Sequence, residues 1–351
     1  MTTQPLGFTE RMWVCQRGIQ IAGAVAETEH TSSGKIALMF PGQGSQQVGM
    51  GAGLYQAYPS ARATFEEAND VLGYDLSTLC FDGPHDQLMR TDFCQPAVLT
   101  TSVAAWRVAN DHGLIADMAM GHSLGEYAAL VASGNLDFAT ALRLVVERGR
   151  ATEEVATRVP GQMAALLGAS DEEAEALCRE AGDDVWPANY NCPGQIVASG
   201  GRRGIDRLVE IARTHGFKTR ILDIEGAFHS SVMAPAADRL RETLAGVGFT
   251  TPSMPFLSAT TAAIEAGAER VRTLLAQQLT APVRFTQSVR TAMDLGVDQF
   301  VECGPRKVLV GLVRRIRSDA DVCHIGAPDD IPTIVALAQA RANARGISDR
   351  R

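Results

Sequence analysis

Asp117-Met118-Ala119-Met120-Gly121-His122-Ser123-Leu124-Gly125-Glu126 takes the chain from a short apolar strand, through a serine between two glycines, into a helix predicted over residues 126–133. Gly121-x-Ser123-x-Gly125 is the pattern of a nucleophile elbow. Its glycines permit a sharp turn that lifts a serine hydroxyl above a sheet edge, near the amides that open a helix. A strand before and a helix after are the context this reading requires. Taken alone, the five residues are equally compatible with a plain strand-to-helix turn.

Upstream, Ile36-Ala37-Leu38-Met39-Phe40 predicts an apolar strand, followed by the turn-rich loop Pro41-Gly42-Gln43-Gly44-Ser45 and helical segments to about His112. Strand, loop and helix in alternation indicate the α/β class. Downstream, a helix is expected over 138–157, and then the rhythm changes. Strand 164–167, helix 171–181, strands 185–190 and 196–199, helix 203–215 and strand 219–224 follow one another. That β-α-β-β-α-β order is a ferredoxin-like unit. Its first helix opens on a capping box, Ser170 accepting from the N3 amide and Glu173 reaching back. Gly161 and Gly226 bound it as an insertion, after which strand 299–303 resumes the α/β pattern and an amphipathic helix over 333–345 docks on the body. The expected organisation is an N-terminal extension over 1–34, an α/β body from 35–159 and 226–351, and a small subdomain over 160–225. The extension reads as disordered or loosely helical, with docking to a partner as the alternative.

The chain has 351 residues, 46% of them hydrophobic, which is ample material for a sizeable core. Lys and Arg number 32 against 40 Asp and Glu, and the resulting charge of -8 argues against nucleic acid as a partner. Cys15, Cys80, Cys94, Cys178, Cys192, Cys303 and Cys323 form no C-x-x-C pair and no zinc spacing, so they read as reduced thiols of a cytoplasmic protein without a metal. No apolar run approaches the roughly 20 residues needed to cross a bilayer, and no secretory leader is read at the start. Neither membrane nor metal is therefore expected.

A serine hydroxyl is a poor nucleophile until a base removes its proton. Among seven histidines, His229 in Gly226-Ala227-Phe228-His229-Ser230-Ser231 is the best candidate, in a small-residue loop just after a strand end. A loop histidine held by backbone hydrogen bonds is the alternative for it in isolation. His122 adjoins the serine, but neighbours in a turn seldom point the same way, so it reads as structural. His30, His85, His112, His215 and His324 are expected in solvent-exposed or turn settings.

Seven blocks in order add a family resemblance: Phe40-Pro41-Gly42-Gln43-Gly44-Ser45-Gln46, Gly121-His122-Ser123-Leu124-Gly125-Glu126-Tyr127, Glu147-Arg148-Gly149, Asn189-Tyr190-Asn191-x-Pro193-Gly194-Gln195, Gly226-Ala227-Phe228-His229-Ser230, Gln278-Leu279-x-x-Pro282-Val283 and Glu302-x-Gly304-Pro305. Over roughly residues 35–316 the chain resembles the malonyl-CoA:acyl-carrier-protein transacylases and the acyltransferase domains of polyketide synthases. The resemblance implies an α/β-hydrolase-like body with a ferredoxin-like insertion. It implies Ser123 as the acylated nucleophile and His229 as its general base, the latter oriented by the main-chain carbonyl of Gln278 with no acidic partner. The backbone amides of Gln43 and Leu124 are implied to form the oxyanion hole. Arg148, which alone would read as a solvated helix-end charge, is implied to hold the free carboxylate of a malonyl group through two parallel hydrogen bonds. Leu124 and Phe228 resemble the malonyl-selective members, with Phe228 crowding the C2 substituent. Gly226 stands where synthase domains often carry histidine, which suggests a free-standing enzyme.

The implied reaction is a ping-pong cycle. Malonyl-CoA acylates Ser123, CoA leaves, and the phosphopantetheine thiol of an acyl carrier protein takes the group. The prosthetic group then belongs to the partner; no cofactor is expected on this chain, which is expected to act as a monomer. Carrier proteins are generally acidic, as is this chain, so docking calls for a local basic face. Arg314, Arg315 and Arg317, or Arg202 and Arg203, are the candidates. Two rival readings remain: a hydrolase that clears stalled acyl chains from carrier proteins, and a non-catalytic scaffold that binds them.

Overall fold

In the computed structural model, which describes residues 34–224 and 226–344, the apolar run Lys35–Phe40 is strand β1, and five of its six residues are buried, as a strand covered on both faces requires. The extension predicted over 1–34 lies, apart from Gly34, outside the described residues, and His30 and Cys15 lie outside with it. After β1 come helices α1 (Ala52–Ala57), α2 (Pro59–Leu72), α3 (Leu76–Asp82), α4 (His85–Met89) and α5 (Thr91–Asp111). Strand β2 (Met118–Gly121) leads into α6 (Gly125–Ala132) and α7 (Phe138–Arg158). The small sheet follows, from β3 (Gly161–Leu167), α8 (Asp171–Ala181), β4 (Val185–Cys192), β5 (Gln195–Gly201), α9 (Arg202–Thr214) and β6 (Lys218–Ile221). The chain then forms α10 (Ala234–Ala245), β7 (Phe256–Ser258), β8 (Ala263–Glu265), α11 (Ala268–Gln277), α12 (Phe285–Asp294), β9 (Val297–Cys303), α13 (Val308–Ile316), β10 (Asp321–Ile325) and α14 (Ile331–Ala344).

The large sheet runs β10-β9-β1-β2-β7-β8, parallel as far as β7 and antiparallel only at β8. Phe40 and Gly121 lie side by side at the carboxyl ends of β1 and β2. Open α/β sheets hold their ligands at such strand ends.

The antiparallel order β4-β5-β3-β6, with α8 and α9 packed together, makes the small unit ferredoxin-like. Its strands alternate with period two. Ala164, Leu166, Ile196 and Ala198 pack against the apolar faces of α8 and α9, whereas Met163, Ala165 and Val197 turn to the large core. The small sheet thereby roofs the ends of β1 and β2. The predicted cap on α8 is present, with Glu173 N–H donating to Ser170 Oγ at 3.2 Å and Ser170 N–H to Glu173 at 2.8 Å. Such a cap is worth about 1 kcal/mol.

Sequence and structure part in a few places. The strand expected over 219–224 ends at Ile221, although Leu222 N–H still donates to the Met163 carbonyl at 2.9 Å, and Leu222 and Ile224 line the cavity. β7 and β8 are three residues each, too short to show a period. The expectation for His324 is corrected: it lies on β10, 9% exposed, and its Nε2 donates to the Gly304 carbonyl at 2.8 Å. Asp321 and His324 make that strand look polar, and only its pairing with β9 reveals it. The six cysteines among the described residues are unpaired. Among the same residues, no helix is long and apolar enough to cross a membrane.

Candidate active site

Close backbone packing dictates the elbow. A Cβ on Gly121 would lie 2.1 Å from the carbonyl carbon of Gly125, and one on Gly125 would lie 2.0 Å from the Phe40 oxygen. No larger residue fits at either place. Between them Ser123 adopts φ 52°, the left-handed region that non-glycine residues avoid, and its hydroxyl is presented at the start of α6. His229 also has a positive φ, 59°, in the loop after β6. Ser230 Oγ donates to the Ala227 carbonyl at 2.6 Å and accepts from Val232 N–H at 3.3 Å, which locks that loop.

The two side chains meet, with Ser123 Oγ 2.8 Å from His229 Nε2. On the other side of the ring, Nδ1 faces the Gln278 carbonyl at 2.9 Å and the Ala281 carbonyl at 3.1 Å. Carbonyls only accept, so the proton sits on Nδ1 and leaves Nε2 bare to receive the serine proton. Gln278 caps the C-terminus of α11, where helix carbonyls lack partners along the chain. Burial first, and the nearby Arg148 cation second, hold the imidazole pKa down at about 3.

Arg148 lies in the middle of α7 and is 2% exposed, unlike the solvated helix-end charge its local sequence suggests. Its Nη1 donates to Gln95 Oε1 at 2.8 Å, and its Nη2 donates to Gln278 Oε1 and Ser123 Oγ, each at 3.1 Å. Among the described residues no carboxylate lies within ion-pair distance of it. The guanidinium is held by neutral acceptors, which an incoming carboxylate can replace with stronger charge-assisted bonds.

Gln43 stands on the loop after β1, beside the elbow: a Cβ on Gly42 would lie 2.6 Å from the His122 carbonyl oxygen. Gln95 Nε2 reaches Gln43 Oε1 at 3.5 Å. Leu124, 1% exposed, is the N-cap residue of α6. Among the described residues, no hydrogen bond uses the backbone amides of Gln43 or Leu124. His122 turns away from the serine, its Nε2 2.8 Å from Asn191 Oδ1 on β4. A cavity of about 280 Å³ opens at this group, lined by Gln43, Ser123, Arg148 and Phe228 and, from the small sheet, by Met163 and Val197. A more open groove of about 620 Å³, past Trp186 and Tyr190, also reaches His229, but the serine does not line it. Among the described residues no cluster of His, Cys, Asp and Glu suits a metal ion.

Two residues of the site carry no sequence signal for their roles. Gln95 is buried on α5, and only the packing of α5 on α7 brings it to Arg148. Glu126, 1% exposed, accepts from the Ser258 hydroxyl at 2.8 Å and the Ala259 amide at 2.6 Å, and also from Gln278 Nε2. Burial raises its pKa to about 7, against the pull of those bonds and of Arg148.

Residues 38–339 match the family model described as acyl transferase domain. The chain is 41% identical over 304 residues to the malonyl CoA-acyl carrier protein transacylase of Bacillus subtilis (strain 168), covering 85% of this chain and 95% of that one. It resembles the crystal structure of MCAT from Streptococcus pneumoniae with a TM-score of 0.83 and 41% identity, over 86% of this chain and 100% of that one. It also resembles a chain in the complex of a type II PKS acyl-carrier protein with its malonyl-transacylase, with a TM-score of 0.84 and 38% identity, over 86% of this chain and 99% of that one.

Proposed function

The chain belongs to the malonyl-CoA:acyl-carrier-protein transacylase family, and we propose that it moves a malonyl group from malonyl-CoA to the phosphopantetheine thiol of an acyl carrier protein through an ester on Ser123. One observation carries the site assignment: the same serine oxygen is hydrogen-bonded to a bare imidazole nitrogen and to a buried guanidinium. Base and acid-tail anchor then converge on one nucleophile.

The steps follow from the atoms. His229 Nε2 takes the Ser123 proton as Oγ attacks the thioester carbonyl, and the Nδ1–H bonds to Gln278 and Ala281 steady the imidazolium. The developing oxyanion faces the Gln43 and Leu124 amides; losing one such donor typically costs roughly 2.7 to 4 kcal/mol of transition-state stabilisation. The C–S bond breaks, and the CoA sulfur leaves with the proton from His229. In the second half, the carrier thiol gives its proton to His229 and attacks the ester, and Ser123 Oγ recovers its proton. Arg148 holds the malonyl carboxylate in exchange for Gln95 and Gln278. Phe228 fills the space where a C2 substituent would project.

Malonyl-CoA and phosphopantetheine arrive as substrates in this reading, and no resident cofactor is invoked. Residues 35–159 with 226–351 form the catalytic subdomain and 160–225 the ferredoxin-like one; the separate sheets and the Gly226 N–H bond to the Gly161 carbonyl at 3.2 Å, where the chain leaves and returns, support that division. Arg314 and Arg315 are exposed in the last turn of α13, and Leu309 and Leu312 of that helix line the cavity, which favours this face over Arg202 and Arg203 for the carrier protein.

Intact-mass measurement after exposure to malonyl-CoA tests the scheme. The wild type should gain one malonyl group and Ser123→Ala none, and added holo carrier protein should remove the group and become malonylated. Release of free malonate in its place would favour the hydrolase. A wild type that gains no mass would favour the scaffold.

A further inference from the structure

Glu126 is a second buried ionisable side chain in this site, and the reaction steps give it no task. Its Oε1 is fixed by the Ser258 hydroxyl and the Ala259 amide, and its Oε2 accepts from Gln278 Nε2. The same Gln278 nitrogen donates to the Ser123 carbonyl at 3.0 Å, Gln278 Oε1 accepts from Arg148 Nη2 at 3.1 Å, and the Gln278 backbone carbonyl accepts from His229 Nδ1 at 2.9 Å. One glutamine therefore touches the nucleophile, its base, the cation and the buried acid. While Glu126 is a carboxylate, the Gln278 amide can point only one way, NH₂ toward the acid and C=O toward the guanidinium.

We propose that Glu126 is a positioning residue for substrate selection, orienting the Gln278 amide so that Arg148 is held ready for the acid tail while the negative charge of Glu126 stays one amide away from it. This rests on the malonyl-transfer reading and adds a residue to it. A carboxylate directly on Arg148 would satisfy the guanidinium and compete with the substrate's own acid group. A neutral amide between them supplies orientation without that competition, because its carbonyl is the weaker acceptor.

Glu126→Gln isolates the effect, since the side chain keeps its shape. The Ala259 N–H cannot reverse, so the new amide must turn its oxygen toward it and present NH₂ to the Gln278 NH₂. Relief requires Gln278 to flip, which points its own NH₂ at Arg148. An isosteric change at Glu126 thus turns a dipole against the cation.

Ser123 acylation by malonyl-CoA and by acetyl-CoA should be measured for wild type, Glu126→Gln, Arg148→Ala and the double variant at a pH above about 8, where Glu126 is a carboxylate. Glu126→Gln should lower the malonyl-over-acetyl ratio about tenfold or more, each tenfold being about 1.4 kcal/mol. In the Arg148→Ala background it should leave the ratio where Arg148→Ala alone puts it. Equal losses with both substrates, or additive losses in the double variant, would mean a merely structural role and overturn the proposal. Should Glu126→Gln not fold, Gln278→Met removes the bridge and retains the backbone carbonyl for His229; the same fall in ratio is expected, and an unchanged ratio overturns the proposal. A wild type that takes no malonyl would sink the transfer reading itself, whereas normal behaviour of wild type and Arg148→Ala beside an unaltered ratio in Glu126→Gln removes only the role of Glu126.

Discussion

Replacing Arg148 with alanine should strengthen His229 as a base as well as remove the acid-tail anchor. Arg148 Nη2 and His229 Nε2 both bond Ser123 Oγ, at 3.1 and 2.8 Å, so those nitrogens lie within the sum of the two distances of one another. At about 6 Å a like charge costs about 3 kcal/mol with the effective dielectric of about 20 suited to protein sites, which is roughly two pH units in a titration. The cation acts with burial to hold His229 at about 3. Arg148→Ala removes the repulsion and lets water toward the ring, and both effects raise the imidazole pKa, to about 5 on the Coulomb figure alone. Acetyl-CoA is the substrate to use, because it has no acid tail for Arg148 to bind. Single-turnover acylation measured from pH 4 to 6, below the range in which Glu126 titrates, should be flat for wild type, since the free base of His229 persists throughout. The variant should lose rate toward the acid end with a midpoint near about 5, as its stronger base captures a proton. A wild-type midpoint near the ordinary imidazole value, or the same midpoint in both proteins, would refute the electrostatic coupling.

Phe228→Ala should open the cavity beside C2, so discrimination between malonyl-CoA and methylmalonyl-CoA in a competition assay should fall by about 1 to 3 kcal/mol, the range for a single methyl in an apolar pocket. Glu302→Ala should melt the start of α13, because that carboxylate accepts from Val308 N–H at 3.1 Å, Leu309 N–H at 3.0 Å and Val310 N–H at 2.8 Å. A stability loss of about 2 kcal/mol or more is expected by denaturant titration, along with slower acylation, as Leu309 and Leu312 line the cavity.

The readable parts of this molecule are those in which local chemistry and fold make the same demand. Gly121 and Gly125 are required by backbone contacts within and beside their own turn, so their spacing announces the elbow. The small subdomain is legible because its strands keep period two and Ser170 and Glu173 cap a helix within four residues of chain. Arg148 is different. Val146-Glu147-Arg148-Gly149-Arg150 looks like a charged surface until α5 is packed on it, and Gly149 helps that packing, a Cβ there meeting the Thr91 oxygen at 3.2 Å. Only the family resemblance attaches a function to it in advance. Gln95 and the partners of Glu126 escape altogether, because Ser258 and Ala259 reach Glu126 from more than 130 positions along the chain.

The choice of carbonyls for His229 gains a reason once the charges are placed together. A carboxylate on Nδ1 would make a stronger base but would set a permanent anion beside the pocket for an anionic acyl group. Here the nearest buried acid, Glu126, is separated from the cation by the Gln278 amide, and Arg148 faces the serine without an ion-pair partner among the described residues. The Arg148 cation thus weakens the base beside it. In the proposed scheme a malonyl tail on Arg148 would neutralise that charge, so the bound substrate would relieve the restraint on His229 as the thioester carbonyl reaches Ser123. An acetyl group leaves the cation uncompensated and the base weak. On that scheme, selection for the acid tail would act on the chemical step as well as on binding.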